Sequence, residues 1–284
     1  ILQVRKQRMR KSLLITLLGL AGLVQAHEVW VVAPAHIDTK EALNAELAYG
    51  HHFPYAEKIA ADRLHFFAPL ELTDKNGMTS ALKQQGENYQ YTTEKPLAEG
   101  SYWVSATYKP TFWSQNAKGW KQENMQQMTD ATYCEQTQMF GKSLVTVGDK
   151  ADSTVFKEKL GQELEIVPLK NPAELKEGEV FPLQIFYKGK PLAGETVIAT
   201  ADTVVVKDIE SAEDHREIQG FSSKTDKDGK VNFLPLIEGL WKVKVVHKTA
   251  FSDPKVCQHS ASYATLVLPV GDKRAQYTPH EHHH

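Results

Sequence analysis

Residues 100–108 read Gly100-Ser101-Tyr102-Trp103-Val104-Ser105-Ala106-Thr107-Tyr108, and residues 239–246 read Gly239-Leu240-Trp241-Lys242-Val243-Lys244-Val245-Val246. Both open on a glycine, carry a tryptophan soon after it, and continue in aromatic and β-branched residues. Such residues suit a pleated, half-buried surface, so each stretch predicts a strand. The shared local pattern predicts two related sandwiches in tandem.

Other stretches around each quoted strand extend the pattern. In the first segment, about 27–150, Val29–Val32, Ala42–Tyr49, Leu64–Leu72, Tyr89–Thr92 and Ser143–Val147 read as strands. Asp74-Lys75-Asn76-Gly77 reads as a hairpin-type turn. Residues 111–142 break the rhythm: Trp113, Trp120, Met125, Met128 and Met139 lie among Gln, Asn, Ser and Lys, and Glu123–Thr132 predicts one short helix. In the second segment, about 162–271, strands are predicted at 163–169, 181–187, 195–201, 231–233, 239–246 and 262–268. Turn chemistry at Lys188–Pro191 and Thr225–Lys230 separates several of them. The phrases Gly189-Lys190-Pro191-Leu192-Ala193-Gly194 and Thr225-Asp226-Lys227-Asp228-Gly229-Lys230 look like those of small immunoglobulin- or transthyretin-like modules. The expected fold is all-β, two tandem antiparallel immunoglobulin-like β-sandwiches.

Residues 1–26 precede this pattern and read as a secretory signal peptide. Arg10 and Lys11 are the positive n-region, 12–23 the apolar h-region, and Val24-Gln25-Ala26 the small-residue cleavage site. Met9 is the natural start, with residues 1–8 an upstream extension of the reading frame. The h-region is short of the ~20 apolar residues that span a bilayer. Cleavage after Ala26 places the protein in the periplasm and makes His27 its first residue.

Residues 1–26 hold five of the 33 basic side chains and none of the 35 acidic ones. The mature chain then carries 28 basic against 35 acidic groups, −7 with His neutral. An acidic balance argues against nucleic acid and anionic membranes as partners. Two cysteines, Cys134 and Cys257, predict a disulfide in an oxidising compartment, the competing reading being a pair of soft metal ligands. That bond would constrain the unfolded chain by roughly 4–5 kcal/mol in the chain-entropy picture.

Histidines carry the chemical signal. A first-residue histidine offers an α-amine and an imidazole that close one chelate ring on a divalent metal. His51-His52 lies between Gly50 and Pro54 at a strand end, and His36, His65, His247 and His259 are scattered elsewhere. The start of the first strand can lie beside the end of a neighbour, bringing His27 to His51 or His52. An amine with two imidazoles favours a tetragonal site, hence nickel(II) or copper(II). Residues 272–284 form a histidine-rich tail whose end, Pro279-His280-Glu281-His282-His283-His284, reads as a native metal-collecting segment, the competing reading being a remnant of an expression tag. Enzyme signatures are lacking: there is no Gly-x-Ser-x-Gly, no His-Glu-x-x-His and no Gly-rich phosphate loop. Asp226-Lys227-Asp228-Gly229 resembles half a calcium loop without the rest of its spacing and reads as a turn.

Several short motifs stand in a shared order: Ala26-His27-Glu28-Val29-Trp30-Val31, Tyr49-Gly50-His51-His52-Phe53-Pro54 followed by Glu57, Thr111-Phe112-Trp113-Ser114, Gly141-Lys142-Ser143-Leu144-Val145 and Ser262-Tyr263-Ala264-Thr265-Leu266. Together they resemble the secreted CbiK-like or NikM-like proteins with a domain of uncharacterised function. The resemblance implies a non-enzymatic periplasmic component of nickel or cobalt uptake, working with an energy-coupling-factor transporter in the inner membrane. It carries over two ligands, His27 and His51; His52 falls at the variable position. The alternative is a copper protein, carrier or oxidative enzyme, with a terminal-histidine brace. A third reading is a metal-free adhesion or carbohydrate-binding module. Intact-mass measurement of the exported protein is expected to show His27 as the first residue; a start at Ile1, Met9 or Glu28 would remove the chelate.

Overall fold

A computed structural model describes residues 27–150, 154–208 and 219–277. The proposed signal peptide and the histidine-rich stretch 280–284 lie outside the described residues. The strands in chain order are β1 (Glu28–Val32), β2 (His36–Ile37), β3 (Ala42–Gly50), β4 (Glu71–Thr73), β5 (Thr79–Ala81), β6 (Lys83–Gln84), β7 (Gln90–Pro96), β8 (Gly100–Asn116), β9 (Gly119–Lys121) and β10 (Tyr133–Val147). The second segment contributes β11 (Leu164–Pro168), β12 (Phe181–Tyr187), β13 (Lys190–Pro191), β14 (Thr196–Ala201), β15 (Phe221–Lys224), β16 (Lys230–Phe233), β17 (Gly239–Ala250) and β18 (His259–Val270). Among the described residues no helix is long and apolar enough to cross a membrane.

The protein is all-β, but its strands form three sheets. A ten-stranded sheet takes strands from both segments, its main path running β15-β14-β17-β18-β10-β8-β4-β5. The segments join where β10 and β18 pair in parallel, Glu135 opposite His259 through Ser143 opposite Val267. A four-stranded sheet, β1-β3-β7-β6, packs on one face of this shared sheet. The other small sheet, β11-β12-β13 with β16, packs on the opposite face. Alternation in the shared sheet divides the two cores. Tyr102, Val104, Ala106 and Tyr108 of β8 face the first, while Trp103 faces the second. Two separate immunoglobulin-like sandwiches would need four sheets; here one sheet serves both cores.

Local chemistry alters two expected elements. Leu64–Leu72 was expected to be a strand, yet Ala61–Phe66 is a 3-10 helix and the strand begins only at Glu71. The helix expected at Glu123–Thr132 is a series of turns. Asn124 Oδ1 accepts from the Gln126 and Gln127 amides at 2.9 and 3.1 Å, a side-chain turn that competes with helix. Asp130 then takes a positive φ of 53°. Cys134 and Cys257 are joined, with Sγ–Sγ 2.04 Å, near the start of the parallel β10–β18 pair.

The covered faces of the shared sheet hold two buried charge clusters. Lys142 Nζ meets Glu165 Oε2 at 2.9 Å and lies 4.6 Å from the Trp103 ring centre. Burial pulls the Lys142 ammonium below the usual lysine range, and Glu165 opposes that shift. The Glu165 carboxylate also accepts the Leu160, Gly161 and Gln162 amides at 2.7–3.2 Å. On the other face, Glu28 of β1 pairs with both Lys242 and Lys244 of β17.

Two measurements test this packing. Without reductant, alkylation is expected to label neither cysteine; two reactive thiols in the exported protein would contradict the bond. Removing one member of a buried pair costs about 3–5 kcal/mol. Lys142→Met leaves Glu165 its three amide donors, whereas Glu165→Leu strands an ammonium and those amides. Denaturant unfolding is therefore expected to show the larger loss for Glu165→Leu; a larger loss for Lys142→Met would refute this account.

Candidate metal centre

The site begins with where β1 lies. It is an edge strand, antiparallel to β3, with Glu28 opposite Gly50 and Val29 opposite Tyr49. Hydroxyls of the shared sheet hold its backbone. Thr265 Oγ1 donates to the Val29 carbonyl at 2.7 Å and Ser143 Oγ to the Val31 carbonyl at 2.8 Å. Gly141 permits that approach, because a Cβ there would lie 3.2 Å from Trp30 Cα and 3.1 Å from Thr265 Oγ1. His27, one residue before the strand, thus emerges beside His51, one residue past the end of β3.

The chain after β3 folds back tightly. Tyr55 N donates to the His52 carbonyl at 2.7 Å, and Glu57 N to the Tyr49 carbonyl at 2.8 Å. The Phe53–Pro54 peptide is cis. Gly50 is needed at the crossing, since a Cβ would meet the Tyr55 carbonyl oxygen at 3.0 Å. Phe53 is buried against Trp30 edge-on, ring centres 5.6 Å apart. This return brings Glu57 under the two histidines.

His27 Nε2 donates to Glu57 Oε2 at 2.6 Å, and His51 Nε2 lies 4.0 Å from Glu57 Oε1. The His27 and His51 ring centres are 3.6 Å apart. Their donor atoms and a Glu57 carboxylate oxygen lie within 4.8 Å of one another, the one such group of three among the described residues. Bonds of ~2.0–2.2 Å put the donors on one ion within about 4.4 Å of each other. Small rotations of these partly exposed side chains cover the difference. Tyr49 stacks on His27 with ring centres 4.6 Å apart. Burial, then neighbouring Tyr108, push the Tyr49 hydroxyl far above the usual tyrosine range, so it forms a neutral wall.

His52 stands apart from this group, bridging Tyr55 through its backbone, with its ring centre 6.1 Å from that of His51. The remaining described histidines lie elsewhere. His36 bonds the Gly148 carbonyl, His65 packs on Phe66, His247 meets Glu195, and His259 packs on Tyr133. Glu57 is the donor that sequence reasoning passed over: it stood in a quoted motif, but nothing in its spacing shows that the turn returns it to the histidines.

No curated protein matches the chain. Among solved structures, the D00-D0 domain of intimin is 12% identical, with a TM-score of 0.20, covering 86% of this chain and 100% of that one. Salmonella alpha-2-macroglobulin is similar at 14% identity and TM-score 0.23 as its Y1175G mutant, and at 13% and 0.22 after reaction with methylamine. The chain spans only 15% of the macroglobulin. Likeness at these scores carries no argument. A family model matches residues 24–249, a span that includes His27, His51 and Glu57, and the chain therefore belongs to DUF4198, a family defined by a domain of unknown function.

Proposed function

We propose that this protein is a periplasmic nickel- or cobalt-binding accessory protein that delivers its ion to an energy-coupling-factor transporter. The observation that carries the metal reading is the meeting of His27, His51 and Glu57. The ion is cargo, and the protein has no catalytic role in this reading. The choice of nickel or cobalt, and of the transporter as partner, is supported by the shared order of the sequence motifs.

Glu57 has a defined part in this proposal. An α-amine chelates with Nδ1 of its own histidine in a six-membered ring; Nε2 is too remote. The His27 Nε2–H bond to Glu57 favours the tautomer whose lone pair is on Nδ1. A carboxylate behind a ligating imidazole orients the ring and raises its basicity. The proposed donors are then the His27 α-amine, His27 Nδ1 and His51, with His52 as an added donor when the turn rearranges. Direct Glu57 ligation would instead use His27 Nε2 and need no free amine.

A second reading rests on that same donor set: one amine and two imidazoles also suit tetragonal copper(II). The protein would then be a copper carrier or an oxidative enzyme.

Calorimetric titration of nickel(II), cobalt(II) and copper(II) tests these readings. Extending the amino end by one residue is expected to weaken binding as much as His51→Ala. Glu57→Gln is expected to weaken it about 10- to 100-fold. Every donor must be deprotonated, and a free α-amine titrates near ~7.7–8.0, so affinity is expected to fall as pH drops below neutral. Unchanged binding by the extended form would eliminate the amine chelate and favour direct Glu57 ligation. Tight copper binding with none for nickel would favour the second reading.

A further inference from the structure

The 3-10 helix Ala61–Phe66, which stands where a strand was expected, sets a cation beside the candidate metal centre. Phe66 is buried, its ring centre 5.6 Å from that of Tyr108 and 6.1 Å from that of Trp113. Phe67, next in the chain, packs edge-on against Tyr49 at 5.1 Å, the same tyrosine that stacks on His27. Held from this side, Arg63 lays its guanidinium over the Trp113 ring, 5.5 Å from the ring centre. The indole is itself fixed, donating from Nε1 to the Tyr108 hydroxyl at 2.9 Å. The guanidinium also acts on the Tyr49 hydroxyl, opposing the rise that burial causes there. Tyr49 is thus a common wall, with His27 against its ring and Arg63 toward its hydroxyl. Arg63 is half-buried and makes no ion pair with a carboxylate among the described residues. A stacked guanidinium without an ion-pair partner offers its fork of N–H donors to an anion from outside the chain.

The charge around the cluster points the same way. The His27 α-amine, His27 Nδ1 and His51 are neutral donors, and Glu57 is the one carboxylate in the group. A divalent ion together with the Arg63 guanidinium outweighs that single negative charge. Charges drawn partly out of water need partners, so this surrounding opposes a bare ion. The neutral donors also fall short of a tetragonal set, which needs a further ligand in its plane. A chelator bearing carboxylates answers both deficits. It brings negative charge and extra donors to the ion, and a carboxylate left over matches the arginine fork.

We propose that the cluster takes its ion as a complex with a small carboxylate-bearing chelator. Arg63 holds one carboxylate of the chelator above the Trp113 ring, while the chelator's other donors complete the coordination of the ion. This rests on the metal reading above. The cargo is then an anionic complex rather than a bare ion. Arg63 recognises the chelator and gives no ligand to the metal. The same guanidinium repels the bare dication and attracts the complex, so it separates two forms of one metal. Binding exchanges some of the ion's ligands for the histidine donors, with no redox step.

The test is equilibrium dialysis of the protein that begins at His27 against radiolabelled chelator, with and without nickel(II). Citrate binds metals mainly through carboxylates, and L-histidine adds nitrogen donors, so the two arms separate the sources of this chemistry. At least one of them is expected to be retained with nickel present and not in its absence. Arg63→Gln is expected to lower that retention about tenfold or more, the loss of a charge-assisted fork contact. The same variant is expected to bind nickel(II) alone at least as tightly, which also shows that it folds. Arg63→Lys keeps the charge without the fork and is expected to recover only part of the loss. Nickel binding with neither chelator retained, retention that needs no nickel, or equal retention by Arg63→Gln overturns this inference alone. Equal nickel binding by the unaltered and His51→Ala proteins, or none by either, defeats the metal reading, and this inference with it.

Discussion

Glu28 is the residue on which the arrangement depends. Its carboxylate lies in the covered space between β1 and the shared sheet, paired with Lys242 and Lys244. Desolvating an ion costs several kcal/mol, so the Glu28 carboxylate depends on its lysine partners, while burial and then neighbouring Lys244 pull the Lys242 ammonium well below the usual lysine range. The pairing is directional, unlike the apolar packing around it. Lys242 also lies 5.9 Å from the Trp30 ring and 5.5 Å from the Phe53 ring. Lys242 of the second segment thus lies beside both arms of the candidate site: the strand that follows His27 and the turn that follows His52. The site belongs to the first segment by sequence and to both by support.

Strand character was readable because it is written locally. The alternation in 239–246 and the aromatic run in 100–108 both correspond to strands, and the turns read at 74–77 and 226–229 are formed, closed by the Gly77 and Gly229 amides on the Asp74 and Asp226 carbonyls. The sharing of one sheet was not readable. Lys242 and Lys244 alternate with Trp241, Val243 and Val245, which is how a strand with one wet face reads. Both faces are covered, and the lysines are hidden by a partner more than 200 residues away, at Glu28. A pattern within a single strand gives no sign of such a partner.

The candidate site was legible to a similar depth. His27 and His51 could be placed together because a strand start and a strand end are adjacent in any antiparallel pair. Glu57 could not be placed, since its position depends on the fold-back at Gly50 and on the turn through Tyr55. The other quoted motifs gain physical reasons from the structure. Gly141 makes room for β1, Ser143 and Thr265 hold its carbonyls, and Lys142 ties the shared sheet to Glu165. Those residues locate the strand that carries His27 rather than touch the donors themselves.

The parallel pairing of β10 with β18 also sets an order of events for a newly made chain. Its partners are more than 120 residues apart, and such pairing waits on closure of a long loop. β1 rests on Thr265, and Glu28 requires Lys242 and Lys244, so the first described strand finds its seat only after nearly the last has been made. His27 is available early as a residue but late as part of a cluster. Its meeting with His51 and Glu57 reports that the whole chain has folded, and a truncated or half-folded product would carry the same histidines without bringing them together.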